Sequence, residues 1–401
     1  MFTLHAKAPT RVDLTGGTLD IWPLYLLLEN PVTVNLAINL FAQVWLRFEP
    51  LQFTTPTLTL KLVLQKQATQ KDLHETCYEW NLHNPEHFQI AIKTAPLVAL
   101  CIQYFFDRFL RSHSGVLELT LNTLSPAGAG LGGSSSLGIA LCASLATLCH
   151  HLHPHFPTLK EFEALPLPKP VPTFFDPTHP WTQARLSLIR LVCDLEARVI
   201  EVPAGLQDYF AATFGGLQGI QWHPYSHTQT FFSHPGLITF MQKNIRLYYS
   251  GQSRNSGINN WEMFSNFLSK NPQTITSFKA IHQTSQSFFQ ELTRIAQKSQ
   301  VCELTSLQIR TLSQIIDQEW QHRQKLCSTM STPSIDQFLF TSKQQGALAA
   351  KICGAGGGGC FFTVLPEKLP PAAPAQPNKD QDIHPLEFLI APEGLEITIS
   401  R

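Results

Sequence analysis

Residues 126–136, PAGAGLGGSSS, lead directly into an apolar run of helical length, Ser136 to Leu152, rich in alanine and leucine. This junction constrains the chain more than any other feature. The helix is apolar on all sides and must be buried, so the loop at its N-terminus is held inside the fold. Glycine lets backbone N–H groups approach an oxyanion closely, and the free N–H groups and dipole at a helix start favour negative charge. The loop is therefore equipped to bind a phosphate without lysine. A hydroxyl at the helix start also suits magnesium, and Ser134 is the residue selected for it. Taken alone, the segment serves equally well as a glycine-rich turn with serine N-caps. It is not a Walker P-loop, because the Gly-Lys-Ser/Thr end is missing. Nor is it a Rossmann fingerprint, because no strand ending in an acidic residue follows at the expected distance.

Around that junction the chain alternates strand and helix signals. Val32–Phe48, Leu58–Leu64 and Val116–Leu121 read as strands, and Gln89–Leu110 as a helix that Pro96 starts or kinks. A helix is expected from Trp181 to Ile200, with Leu188, Leu191, Val192, Leu195 and Val199 on one face. Further on, helices are expected at Ile281–Lys298 and Thr305–Gln324. Strands are expected at Leu237–Met241, Ile245–Tyr249 and Cys360–Leu365, and a closing hairpin around Pro392 and Gly394 within Glu387–Ile399. Residues 153–182 hold eight prolines and read as a surface insertion, and Pro366–Pro385 as a flexible loop. His150, His151, His153 and His155 lack a carboxylate partner at ligand spacing, so they read as loop histidines rather than a metal site.

A length of 401 residues suggests two domains. Lysine plus arginine and aspartate plus glutamate stand at 29 each, so no overall field draws the chain to nucleic acid or anionic membrane. Nine scattered cysteines without a CxxC pair, several of them within apolar stretches, predict reduced thiols and a cytoplasmic address. The longest nearly apolar run, Leu137 to Cys149, is too short to span a bilayer.

Three segments in chain order resemble the signature motifs of the GHMP kinases: KAPTRVDLTGGTLD at 7–20, PAGAGLGGSSS at 126–136 and KICGAGGGGCFF at 351–362. A fourth, EARVIEVPAGLQDYFAATFGG at 196–216, is similar to the family segment with a magnesium-binding glutamate and, twelve residues later, the catalytic aspartate. The resemblance spans nearly the whole chain and implies a two-domain α+β GHMP kinase fold. An N-terminal domain like domain 2 of ribosomal protein S5 would cover 1–222, and a ferredoxin-like C-terminal domain 223–401.

The resemblance implies ATP and magnesium as cofactors. Pro126, Gly128, Gly130, Leu131, Gly132, Gly133, Ser134 and Ser135 would wrap the nucleotide, and Ser134 and Glu196 would hold the metal. Asp208 would accept the acceptor's proton, with Arg11 as its supporting catalytic residue. By themselves, Glu196 is as well a helix carboxylate and Asp208 a helix N-cap. Gly16, Gly17, Asp20, Arg254, Gly356 and Gly357 would bind the acceptor. The loop Gly354–Gly359 would brace the phosphate loop and line the acceptor pocket; on its own it is also a glycine bulge before a strand.

For the acceptor, Gly16-Gly17-Thr18-Leu19-Asp20 keeps the aspartate of the galactokinase pattern and loses its glutamate. The paired glycines, GLQDYFAATFGG and ALAAKICGAGGGG are closer in style to the glycero-manno-heptose phosphate kinases. That pattern has a further glycine before a threonine-aspartate pair, and here Thr18 and Leu19 precede Asp20, which alters the pocket floor. The expected reaction is transfer of the γ-phosphate of ATP to a sugar or sugar phosphate at the anomeric hydroxyl. A galactokinase- or fucokinase-like 1-kinase is the alternative, and a mevalonate kinase a further one. A non-catalytic sugar or nucleotide sensor has no need of Arg11, Ser134, Glu196 and Asp208 together. The polar stretch 248–264, with Arg254, Ser256, Asn259 and Asn260, is either a sugar-phosphate clasp or a plain loop before a helix. The expected partner is a small-molecule sugar or sugar phosphate, with no nucleic acid or membrane, and the chain a monomer or homodimer.

Overall fold

The computed structural model describes residues 1–69, 72–154, 178–252, 256–298, 302–366 and 383–400, with the backbone alone at 66–69, 72–73 and 256–260. Arg254 and most of the two proline-rich stretches, 153–182 and 366–385, lie outside the described residues.

Twelve strands and ten α-helices occur among the described residues. In chain order the strands are β1 Phe2–Thr15, β2 Val32–Pro50, β3 Leu58–Thr69, β4 Asp72–Asn81, β5 Gly115–Thr123, β6 Leu217–Trp222, β7 His227–Phe231, β8 Ile245–Tyr249, β9 Ala349–Ile352, β10 Cys360–Val364, β11 His384–Leu386 and β12 Glu396–Ser400. The helices are α1 Pro85–Thr94, α2 Pro96–Phe105, α3 Gly133–Leu152, α4 Pro180–Ile200, α5 Gln207–Phe214, α6 Pro235–Asn244, α7 Ser256–Leu268, α8 Pro272–Ala296, α9 Ser306–Arg323 and α10 Pro333–Gln344. An eight-stranded sheet runs β12-β1-β2-β5-β3-β4, with β6 and β7 joined to it through β2. A four-stranded sheet runs β11-β8-β10-β9. Among the described residues only β3 and β5 pair in parallel; the other pairs are antiparallel. Two sheets, each covered by helices, make the α+β architecture expected of the sequence.

Strand β1 explains where a site can form. Its first residues alternate between buried and half-buried, and from Ala8 onward every residue is buried. Phe2, Leu4, Ala6 and Ala8 belong to a first core that includes α3 and α4, and Val12 and Leu14 to a second core shared with α8, α9 and the small sheet. Leu19, Ile21 and Leu24 enter a third, on the other face of the small sheet. In β10 the side chains alternate as strand geometry requires: Cys360, Phe362 and Val364 pack into the second core and Phe361 into the third. Arg11, Asp13 and Asp20 therefore sit at seams between cores. Register shifts between Ala8 and Thr10 and between Asp13 and Thr15 bracket the first two, and such bulges re-aim side chains.

Helix α3 is buried along nearly its whole length. It extends over 20 residues because small and hydroxyl residues continue the apolar run. By length and composition it passes for a membrane span, but 78% of that window is buried inside the protein, so it is the core helix. Pro96 sits at the start of α2, dividing the stretch 89–110 into α1, α2 and a π-type turn at Phe106–Leu110.

Two expectations are corrected. Leu237–Met241 is not a strand but part of α6, whose start is set by Pro235 and by the His234 side chain accepting from the Gly236 N–H. A five-residue run with four apolar members carries no period that separates the two states. Residues 387–399 do not form a hairpin. Ile390 bridges Ile38, and β12 pairs along β1 from Thr3–Ser400 to Lys7–Glu396. The partner of that last strand lies at the other end of the chain, which local turn chemistry cannot reveal.

Candidate active site

Helix α3 starts at the mouth of a cleft of about 350 Å³. Its walls are the loop Ser125–Gly130 with Gly132–Ser135, the segment Gly205–Tyr209, Glu196, Arg11, Thr18, Asp20, Arg323 and Gly354–Ala355. The four segments singled out in the sequence thus meet in one place, although they are as far as 350 residues apart.

The loop is held by β1 and β10. The Arg11 N–H donates to the Leu131 carbonyl at 2.9 Å, and the Ser136 hydroxyl donates to the Pro9 carbonyl at 2.7 Å. From the other side, the Cys360 N–H donates to the Ala129 carbonyl at 2.7 Å, so the third glycine-rich segment braces the first turn of the loop. Gly132 has φ +75°, and a Cβ there would stand 3.1 Å from the Asp208 carboxyl carbon. The catalytic candidate therefore lies against the loop, and only glycine leaves it room.

Asp208 sits in the first turn of α5, where the helix dipole favours a carboxylate. Arg11 Nη2 approaches its Oδ1 at 2.6 Å and Arg11 Nε donates to the same oxygen at 2.8 Å, while Arg11 Nη1 donates to the Gly130 carbonyl at 2.6 Å. Burial works against the Arg11 charge, but Asp208 and Asp13 outweigh it and hold the guanidinium above its ordinary value. At the other end of α5, Arg185 donates to the Thr213 carbonyl at 2.6 Å and the Leu395 carbonyl at 2.8 Å, which fixes the helix that carries Asp208.

Glu196 comes from α4 and is buried. Its Oε1 accepts from the Ser134 hydroxyl; its Oε2 accepts from the Ser135 hydroxyl at 2.8 Å and the Tyr209 hydroxyl at 2.7 Å. Burial pushes the Glu196 carboxyl above the usual range, against these three donors, and Asp208 adds to the upward push. Among the described residues no group of three or more His, Cys, Asp or Glu is placed to share a metal. One buried carboxylate beside a helix-start hydroxyl nevertheless fits magnesium, which keeps its waters and takes its other ligands from phosphates.

Asp20 closes the far side of the cleft. Its Oδ2 accepts from the Gln207 N–H at 2.8 Å, and its Oδ1 has no hydrogen-bond partner. Burial holds its carboxyl up at about 6, against the Gln207 bond and with help from Asp208. Gly16 and Gly17 lie outside the cleft wall. They pack on a buried charge cluster instead: the Gly16 N–H donates to Glu319 at 3.2 Å, and a Cβ on Gly17 would meet Asp13 Oδ2 at 2.1 Å. Gly356 and Gly357 also lie off the wall, against Met330. Leu131 is buried beneath the loop.

Sequence reasoning missed that cluster. Arg323 Nη1 lies 2.9 Å from Asp13 Oδ2 and 3.4 Å from Glu319 Oε1, and Lys351 Nζ lies 2.8 Å from Glu319 Oε2 and 3.6 Å from Asp13 Oδ1. Arg323 Nη2 also donates to the Gly354 carbonyl at 2.8 Å. One guanidinium thus fixes the first glycine pair and the third glycine loop together. Burial opposes the Asp13 charge, yet Lys351, Arg323 and Arg11 outweigh it and hold its carboxyl below the usual range. Glu319 and Arg323 stand four apart on α9, the spacing of an ordinary surface pair, so the sequence carried no sign of their burial. Thr18, Gln207 and Tyr209 were missed as well, although Gln207 and Tyr209 flank Asp208.

Residues 303–376 match the family model for the GHMP kinases C terminal domain. The chain is 22% identical over 259 residues to the D-glycero-alpha-D-manno-heptose 7-phosphate kinase of Campylobacter jejuni, covering 63% of each chain. It is 26% identical over 300 residues to the mevalonate kinase of Bos taurus, covering 73% of this chain and 64% of that one. The chain thus spans under two-thirds of the length of these curated relatives. Its structure superposes on that of a D-glycero-D-manno-heptose 1-phosphate kinase from Bacteroides thetaiotaomicron with a TM-score of 0.62, at 16% identity and 98% coverage of both chains, a likeness of fold. Residues 303–376 thus match the GHMP kinases C terminal domain, and the fold of the whole chain is like that of a solved heptose phosphate kinase.

Proposed function

We propose that the chain is an ATP-dependent kinase that phosphorylates a hydroxyl of a sugar or sugar phosphate, at the anomeric position. The observation that carries this reading is the Asp208 carboxylate, paired with Arg11 and set against Gly132 of the phosphate loop. A sugar hydroxyl is a poor nucleophile at neutral pH, and a positioned carboxylate offsets that by taking its proton as attack proceeds.

In this reading the acceptor O–H gives its proton to Asp208 and its oxygen bonds to the γ-phosphorus. The bond from that phosphorus to the β–γ bridging oxygen breaks, and ADP leaves. The backbone N–H groups of the loop and of the α3 start hold the phosphates, and Arg11 steadies the charge on the transferring group. Ser134 and Glu196 would hold magnesium, which when bound neutralises charge on the β- and γ-phosphates. Most of the protein's contribution is then positioning and charge placement.

The heptose 7-phosphate kinase among the relatives supports a sugar phosphate as the acceptor, and the anomeric hydroxyl rests on the resemblance of the motifs. A mevalonate acceptor is the second reading, favoured by the bovine relative. The test is ATP consumption and product analysis with D-galactose, L-fucose, D-mannose, D-glycero-D-manno-heptose 7-phosphate and mevalonate, with Asp208→Asn in parallel. A phosphorylated sugar from the wild type and none from the variant supports the reading; tight sugar binding without turnover points to a sensor.

A further inference from the structure

Asp208 and Tyr209 are consecutive residues in the first turn of α5, and successive residues of a helix diverge by about 100° around its axis. Asp208 keeps 21% of its side chain exposed and meets Arg11. Tyr209 is fully buried and donates its hydroxyl to Glu196 Oε2 at 2.7 Å. Phenylalanine would fill the same space without a polar atom to satisfy, so the hydroxyl needs a reason of its own.

The reason lies in the unequal treatment of the two Glu196 oxygens. Oε2 accepts from Tyr209 and, at 2.8 Å, from Ser135, which is only 4% exposed. Oε1 accepts from Ser134, which is exposed and lines the cleft. One oxygen is thus held by two buried donors from α3 and α5, and the other stays with the hydroxyl that a ligand can reach. The phenol is held in turn by the Cys193 thiol, one turn before Glu196 on α4. A phenol has a single hydrogen, and Glu196 takes it, so the thiol donates to the phenol oxygen. Burial pushes that thiol up to about 12, so it keeps its hydrogen. The carboxylate cannot turn away without leaving buried donors unpaired, which is costly.

We infer that Tyr209 is a positioning residue for magnesium: with Ser135 it clamps Glu196 Oε2, keeps Oε1 beside the Ser134 hydroxyl, and so sets how far the metal tightens nucleotide binding. The inference rests on the reading of Ser134 and Glu196 as the magnesium pair. Groups that orient a ligating carboxylate from behind are worth about 10–100-fold in metal affinity. Because Asp208 shares the turn with Tyr209, one segment of α5 positions the proposed base and the proposed metal carboxylate together.

The experiment is titration calorimetry of the full chain with AMPPNP, once with magnesium and once with EDTA; the ratio of the two affinities is the magnesium enhancement. The wild type is compared with Tyr209→Phe, Ser135→Ala, Glu196→Gln and the double variant Tyr209→Phe/Glu196→Gln. Tyr209→Phe is expected to lower the enhancement by about tenfold and to leave the affinity in EDTA within about twofold, and Ser135→Ala to lower the enhancement in the same direction. The double variant is expected to match Glu196→Gln within about twofold, since Tyr209 acts only through that carboxylate. A purely structural tyrosine would lower the melting temperature and leave the ratio as in the wild type. Wild-type enhancement in Tyr209→Phe, beside its loss in Glu196→Gln, overturns the clamp and leaves the magnesium pair standing. Full enhancement in Glu196→Gln removes the pair and the clamp together, and a double variant clearly weaker than Glu196→Gln overturns the clamp alone. Should Tyr209→Phe not fold, Ser135→Ala decides by the same ratio. Phosphate transfer to the sugars is read in the same samples: an enhancement that responds to Tyr209→Phe without any transfer leaves the clamp standing and removes the kinase reading.

Discussion

Arg11 and Asp208, 197 residues apart in the chain, share a half-buried ion pair of 2.6 Å, and the same guanidinium donates to the Gly130 carbonyl of the glycine loop. The proposed proton acceptor and the proposed phosphate-binding loop are thus positioned by one side chain. Asp208→Asn is expected to lower kcat by about 10²–10⁴, the usual worth of a general base, with ATP affinity held within about twofold. A variant whose kcat is intact and whose KM alone rises would remove the base role.

Glu196 lines the cleft and accepts from the Ser134 hydroxyl. If these two residues hold magnesium, Glu196→Gln weakens the ability of magnesium to tighten ATP binding by at least about tenfold, since a neutral amide is a poor ligand for a hard cation. The check is nucleotide titration with and without magnesium, wild type against variant. Equal magnesium dependence in the two would place the metal elsewhere.

Asp20 makes a pH prediction. Burial holds its carboxyl up at about 6 in the folded chain against an ordinary value of 3.8, so the folded state binds more protons than the unfolded state between these values. The neutral carboxyl is tolerated below pH 3.8, and that tolerance is lost as pH rises through 6, where the buried charge costs up to about 3 kcal/mol. Asp20→Asn should therefore be more stable than wild type at pH 8, by about 1–3 kcal/mol. The gain should vanish toward pH 4, while acceptor binding is lost at every pH. Denaturant melts of both proteins across that range decide it; a gain independent of pH would mean that Asp20 is not held up.

The Asp13–Glu319–Arg323–Lys351 cluster has two positive and two negative members, all buried. Removing one charge leaves the others uncompensated, so Arg323→Met and Asp13→Asn should each destabilise by about 3–5 kcal/mol. The double variant should lose clearly less than the sum, because the pair goes together. Strict additivity in urea melts would show that the two residues act separately.

Much of the architecture could be read locally. The glycine loop ahead of α3, Pro96 at the head of α2 and the alternation in β5 are set by residues close in the chain. The segments 7–20, 196–216 and 351–362 were singled out by their resemblance to the GHMP kinase motifs. Leu237–Met241 was misread because so short a run, apolar but for Thr239, fits either state, and the cap at His234 decided for helix. Residues 387–399 were misread because the pairing of β12 is with β1. Gly16 and Gly17 were expected in the acceptor pocket, and the structure sets them on the Asp13–Arg323 pair instead. Gly17 is needed there because a Cβ has no space, a packing fact no motif contains.

What the chain's order of residues determined by itself was the set of local devices: a turn able to hold phosphate, a buried helix behind it, and carboxylates at set distances along α4 and α5. Tertiary structure alone decided which charges meet. Arg323 finds Asp13 across 310 residues and Arg11 finds Asp208 across 197, because burial leaves the two guanidinium groups no solvent to compensate their charge. Pairings of that kind depend on the path of the whole chain and leave no trace in any short stretch of it.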